Sequence, residues 1–165
     1  MTCRKPLGVV CVITLALAMG STAESQEARQ GTFKGNFGPR FTGTVTEIEK
    51  GHVFYAGAFA GVFFNDVAGG FIDKSSVECP GINDVVNGLG AVNHGYCIVT
   101  DKDGDKAFLK WQGKDSSPGV GGGDQHWIGG TGKYTGLTGK TTYKYAAIGT
   151  APAFSVVWEG EWKLP

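Results

Sequence analysis

The chain has 165 residues, with 15 basic and 15 acidic side chains and three histidines, so it carries no net charge. That balance excludes a polycation built to bind nucleic acid or anionic lipid. The charges are also scattered, which excludes an acidic or basic tail.

Arg4 and Lys5, the uncharged apolar run Leu7 to Met19, and Ser21-Thr22-Ala23 follow the layout of an export signal. The apolar run is 13 residues, short of the ~20 needed to span a bilayer. Cleavage after Ala23 is expected, with an uncleaved anchor as the alternative. Removing 23 residues leaves 142, enough for one domain with a core. Arg4 and Lys5 leave with the signal, so 13 basic side chains face 15 acidic ones. No second apolar stretch suggests stable membrane insertion after cleavage, and the mature protein is expected in the periplasm or outside the cell. Two of the four cysteines remain, Cys79 and Cys97. In an exported chain they are expected to form a disulfide, the alternative being two buried thiols.

Residues 24–30 read as a flexible lead-in, and residues 31–165 as one domain. From Gly31 onward, short alternating runs rich in Thr, Phe, Val and Tyr are cut by glycine. Thr32 to Phe37, Phe41 to Glu49 and His52 to Phe64 read as strands. In the third, Val53, Tyr55, Phe59 and Phe63 share one face and Ala56, Ala58, Ala60 and Val62 the other. The small face is expected to line a tight barrel. Gly69 to Glu78 reads as a fourth strand. Cys79 to Asp84 reads as a polar-tipped loop, and Gly81 to Asn87 is the best candidate for a short helix. Gly95 to Thr100 and Lys106 to Gln112 form a hairpin, and Pro118 to Gly123 reads as a mobile loop. Gln125 to Gly129, Thr141 to Ile148 and Phe154 to Leu164 complete the set. The last has the cleanest alternation, with Phe154, Val156, Trp158, Trp162 and Leu164 on one face. Short turns without crossover helices imply an antiparallel sheet, and closure removes its sticky edges. The expectation is an all-β fold, a single closed antiparallel β-barrel of about eight strands, with a sandwich as the alternative.

Chemistry-bearing residues are few. Asp101-Lys102-Asp103-Gly104-Asp105 alternates carboxylates, but its glycine is fourth and its twelfth position is Gln112, which misses the calcium-loop pattern. It reads as a hairpin turn. His52, His94 and His126 are too far apart to show metal-ligand spacing, and no metal or cofactor is expected. No nucleophile motif is present. Gly129 to Gly139 is glycine-rich but lacks the phosphate-loop pattern. It reads as a tight turn with Tyr134 or Leu137 tucked against the barrel end, in which Gly132 and Gly136 are needed and Lys133 is dispensable. Tyr55, Asp84, Trp111, His126 and Tyr143 are the candidate ligand-binding residues, and no catalytic residue is singled out.

The segment Gly129-Gly130-Thr131-Gly132-Lys133-Tyr134-Thr135-Gly136, with Gly139 after it, resembles the glycine segment of allene oxide cyclase-like and dirigent-like barrels. Asp103-Gly104-Asp105-Lys106-Ala107-Phe108 and Trp158-Glu159-Gly160-Glu161-Trp162 resemble exported bacterial members of that superfamily. The match covers about a third of the mature chain. The resemblance implies an eight-stranded antiparallel barrel, in many members a homo-oligomer, with a pocket for small hydrophobic molecules. Plant enzymes of this kind guide cyclisation of lipid epoxides or coupling of phenoxy radicals. None of their catalytic constellations can be placed residue by residue on this chain. The sequence therefore supports binding of a small apolar or aromatic ligand. The alternatives are a cofactor-free isomerase or lyase acting on such a ligand, and a structural or surface-interaction protein with a filled core.

Overall fold

A computed structural model describes residues 28–149 and 152–165. The expected export signal over residues 1–23 lies outside them, as do residues 24–27 of the lead-in. Among the described residues nine strands run in chain order: β1 (Gln30–Phe37), β2 (Arg40–Glu49), β3 (His52–Asn65), β4 (Ser75–Val86), β5 (Leu89–Thr100), β6 (Lys106–Ser117), β7 (Val120–Gly130), β8 (Gly139–Ala147) and β9 (Phe154–Lys163). A 3-10 turn at Gly132–Tyr134 joins β7 to β8.

All neighbours are antiparallel, in the order β1-β9-β8-β7-β6-β5-β4-β3-β2, and β1 also pairs with β3. That extra pairing closes a ring of eight strands, so the fold is the expected barrel rather than a sandwich. β2 lies outside the ring. It continues β1 past the break at Gly38-Pro39 and pairs with β3 from Arg40↔Ala60 to Glu49↔His52. The 14-residue β3 then pairs with β1 over Phe63–Asn65.

Several strands run longer than the alternation suggested. The expected helix at Gly81 to Asn87 and the expected loop at Cys79 to Asp84 both belong to β4. β4 turns into β5 at Asn87-Gly88, where φ is +52° and +80°, the geometry Asn-Gly adopts in a two-residue hairpin. The expected mobile loop at Pro118 to Gly123 is a turn at Pro118-Gly119, with the following glycines already in β7. The fourth strand begins at Ser75, because residues 66–74 form a turn held by Asp73. Its carboxylate accepts from the Asn65 and Gly69 N–H groups, at 3.0 and 2.9 Å.

The two faces of β3 are the reverse of the expectation. Phe63 is fully buried while Ala60 and Val62 are exposed, so the bulky face points inward and the alanines outward. Rings fit inside because glycines on neighbouring strands leave space for them. Gly81 and Gly95 pair across β4 and β5, and a side chain at either would run into the Trp111 ring.

One end of the barrel is sealed. Tyr134 and Leu137 are buried beneath the glycine turn, as expected. Phe33, Phe71 and Trp127 pack below them with ring centroids 5.4 to 6.0 Å apart. Gly132 is needed there, with φ at +51° and the Asp105 carboxylate where a side chain would stand. Asp101 to Asp105 forms the expected turn, the Asp101 carboxylate accepting from the Asp103 and Asp105 N–H groups.

Lys133 is not the bystander expected from sequence. Its Nζ lies 2.6 Å from Asp101 Oδ2 and 3.1 Å from Asp103 Oδ2. Burial would raise the Asp101 carboxyl, but the Lys133 ammonium and the Asp103 N–H outweigh it and hold it below its ordinary value. The carboxylate is only 6% exposed and Lys133 41%. Breaking a buried pair from one side costs ~3–5 kcal/mol, and partial exposure of the lysine reduces this to about 1–2 kcal/mol. Lys133→Ala should therefore lower the urea midpoint at pH 7 measurably. Lys133→Arg should largely preserve it.

Candidate functional site

The hairpin ends at residues 49–52, 86–89 and 117–120, together with residues 147–149 and 152–154, gather at the end of the barrel opposite the glycine turn. Beneath them is a cavity of about 90 Å³. Its floor and walls are apolar. Trp158, Phe37, Trp111, Val156 and the Cys79–Cys97 disulfide enclose it from below, and Phe59 and Phe154 flank it nearer the mouth. The disulfide bridges facing positions of β4 and β5, between the paired residues Glu78↔Ile98 and Gly81↔Gly95. Both cysteines are buried, and the expected pairing is formed. Cross-links of this kind belong with oxidising compartments.

The upper wall is polar. Asn83, Asn93, Tyr143 and Tyr145 face the cavity, and Asp115 lies behind Tyr145. Tyr145 Oη donates to Asp115 Oδ1 in a short contact, and the Gly90 N–H donates to the other carboxylate oxygen at 2.8 Å. Asn93 Nδ2 donates to Tyr145 Oη at 3.2 Å, and Tyr143 Oη donates to Asn93 Oδ1 at 3.2 Å. One directional chain thus crosses β8, β5 and β6. It exists because odd-numbered positions on all three strands face inward. Deeper down, Thr141 Oγ1 donates to Gln125 Oε1 at 2.8 Å in a fully buried pair.

Burial, then the charges of Asp115 and Asp124, pushes the Tyr143 hydroxyl above the ordinary tyrosine range. Burial and then the Asp115 carboxylate do the same for Tyr145. Both are neutral phenols at pH 7. In the unfolded chain they ionise near pH ~10. Above that pH the folded state holds more protons, so stability is complete below about pH 10 and falls as pH rises. Thermal melts across this range should show a steep alkaline decline. The Tyr143→Phe/Tyr145→Phe double variant should show a flatter one, whatever its melting temperature at pH 7.

The five sequence candidates do not form one site. Trp111 and Tyr143 line the cavity. Tyr55 is on the inward face of β3, opposite Asn83, and packs edge-on against Phe41 at 6.0 Å in the mouth. Asp84 is on the outer face, hydrogen-bonded to His52 Nε2 at 2.6 Å. His126 is exposed on the outer face, opposite Lys110. Both sit at even positions of strands whose odd positions face inward, which removes them from the cavity. Asn93 and Asp115 are the wall residues that sequence reading missed, whereas Asn83 and Tyr145 are the inward neighbours of two candidates it named, Asp84 and Tyr143. Carrying the alternation Ala107, Leu109, Trp111 onward through Gly113 would have placed Asp115 inside.

Neither a protein-family model nor a curated protein matches the chain. Solved structures similar to it include two dirigent proteins. The pterocarpan synthase dirigent protein PsPTS1 gives a TM-score of 0.48 at 14% identity, over 84% of this chain and 97% of that one. The pterocarpan synthase dirigent protein GePTS1 gives a TM-score of 0.48 at 13% identity, over 82% of this chain and 91% of that one.

Proposed function

We propose that this protein is exported and binds a small apolar or aromatic ligand in the upper half of its barrel. The observation that carries this reading is the cavity of about 90 Å³ between Trp158, Phe37 and Trp111 below and the Tyr143–Asn93–Tyr145–Asp115 chain above. Ligand sites are commonly apolar hollows with a few placed polar groups. A cavity of ~150 Å³ lined by apolar side chains takes up benzene. This one is smaller, so it encloses only part of an aromatic ligand, and the rest, including the second ring of a bicycle such as indole, extends into the mouth. The sealed lower half has the character of a filled core, and the upper half does not.

Indole provides the direct test, by calorimetry and by quenching of tryptophan fluorescence. Saturable binding at one site per chain is expected, together with loss of binding in Val156→Phe, which fills the cavity from β9. No saturable binding by the wild type, or full binding by a folded Val156→Phe variant, would overturn the reading.

A second reading, a cofactor-free isomerase or lyase, is favoured by one specific observation. A carboxylate and two neutral phenols stand in a single hydrogen-bonded line at the cavity wall, the group types that general acid–base catalysis uses. Turnover of a bound ligand, lost in Asp115→Asn while binding persists, would favour it over binding alone.

A further inference from the structure

Three aromatic side chains of the upper wall lie along it rather than pointing across the lumen. Tyr143 stands opposite Gly123 on β7, and Gly123 opposite Gly113 on β6. The Tyr143 hydroxyl ends where a Gly113 side chain would begin, so the phenol crosses β7 and reaches β6. Tyr145 crosses Gly121 in the same direction and reaches Asp115. Trp111 crosses Gly95 on β5 and ends over Gly81 on β4. Each ring uses the space that a missing side chain leaves on the neighbouring strand.

The angles between the rings show which side they present. A closed ring of eight strands turns by about 90° over two strands. Aromatic rings lying flat on walls two strands apart therefore meet near a right angle, whereas rings standing on edge along the same path would be nearly parallel. Trp111 and Tyr143 meet at 80°, with centroids 6.2 Å apart. Tyr143 and Tyr145 lie side by side on one wall, 14° from parallel. The cavity thus has a corner built of ring faces, and the face of an aromatic ring is its negative side.

Formal charge adds to this. Among the described residues no lysine, arginine or histidine lines the cavity or pairs with Asp115. The Asp115 carboxylate, at the end of the Tyr145 ring, accepts from neutral donors, the Tyr145 hydroxyl and the Gly90 N–H. Ring faces and an unneutralised carboxylate both favour positive charge. We infer that the ligand is a small organic cation, an alkylated ammonium, held in the corner between the Trp111 and Tyr143 faces. Its alkyl groups fill the apolar cavity, and its charge answers Asp115. This rests on the binding reading above and adds a charge to the ligand's shape.

Choline and neohexyl alcohol share a shape, a carbon in the alcohol replacing the quaternary nitrogen. Calorimetric titration of the wild-type protein should show choline binding more tightly by about tenfold or more. In Asp115→Asn the preference should fall to about threefold, the share of the ring faces alone. The choline methyl protons should move upfield in the NMR spectrum on binding, because nuclei above ring faces are shielded. Equal affinities, or tighter binding of the alcohol, would overturn the inference and leave apolar binding intact, as would binding of indole alone. A preference undiminished in a folded Asp115→Asn variant, or methyl protons that do not move upfield, would overturn it too. The wild-type titration and spectrum decide the matter if that variant does not fold. Absence of binding by choline, the alcohol and indole would instead refute the binding reading itself.

Discussion

Trp158→Ala should be the most damaging single truncation in the barrel, lowering stability by ~3–5 kcal/mol. The indole is 2% exposed. It stacks on Phe63 with ring centroids 5.5 Å apart and packs on Phe37 at 5.2 Å. These three rings come from β9, β3 and β1, the strands whose pairing closes the ring. Removing the indole takes contacts from both sides of the closure and leaves a void that β-strands cannot collapse into. Small domains have ~5–15 kcal/mol in total, so the variant would be marginal. Urea denaturation is the measurement. The void would also join the cavity above it, so added benzene should raise the melting temperature of Trp158→Ala more than that of the wild type. A fall in stability below about 1 kcal/mol would mean that the rings repack and the closure does not depend on them.

Loss of the Cys79–Cys97 bond should be the next largest effect, ~3 kcal/mol for a loop of this length. The two cysteines are 18 residues apart in sequence and are held opposite each other by β4 and β5. Pro80, next to Cys79, has no N–H to give the ladder, and the β4–β5 pairing skips this site, passing from Glu78↔Ile98 to Gly81↔Gly95. The disulfide supplies the link that the backbone omits. A melt in a strong reductant should fall by about 10 °C for a domain of this size, and Cys79→Ala/Cys97→Ala should reproduce the fall without reductant. Identical melting of reduced and oxidised protein would show that the neighbouring hydrogen bonds hold the two strands without it.

The architecture was legible because the alternation is strong where one face is buried. β9 displays it without interruption from Phe154 to Leu164, and the glycine turn with buried Tyr134 and Leu137 was readable from spacing alone. The strand ends were less legible for a physical reason. This barrel seats large rings over inward glycines, so residues that normally mark loops lie inside strands. Gly81, Gly113 and Gly121 to Gly123 broke the pattern on paper without breaking the ladder. The same device reversed the reading of β3, where small residues suggested an interior and turned out to face solvent. Of the site, Trp111 and Tyr143 could be found as inward aromatics near mid-strand. Asp84 could not be told from Asn83 once the segment was read as a loop, and in a strand one residue exchanges inside for outside. The Asn93–Tyr145–Asp115 contacts join three strands at separations of 30 and 52 residues, which no local pattern carries.

The break at Gly38-Pro39 divides β3 between two partners, and this has a consequence for how the molecule opens. Below the break, the β1–β3 rungs belong to the closed ring and can part only when the ring does. Above it, β2 pairs with β3 along one edge, is tied on the other only at its start, where the Phe41 N–H donates to the Pro152 carbonyl at 2.8 Å, and has nearly all of its residues exposed. Its detachment exposes little apolar surface, so it is an event of low free energy, separate from global unfolding. The amide hydrogens that β2 shares with β3 should exchange with solvent far sooner than those of β9 or β6. The barrel would then have a base that exchanges only through global unfolding and one wall of its rim that frays on its own.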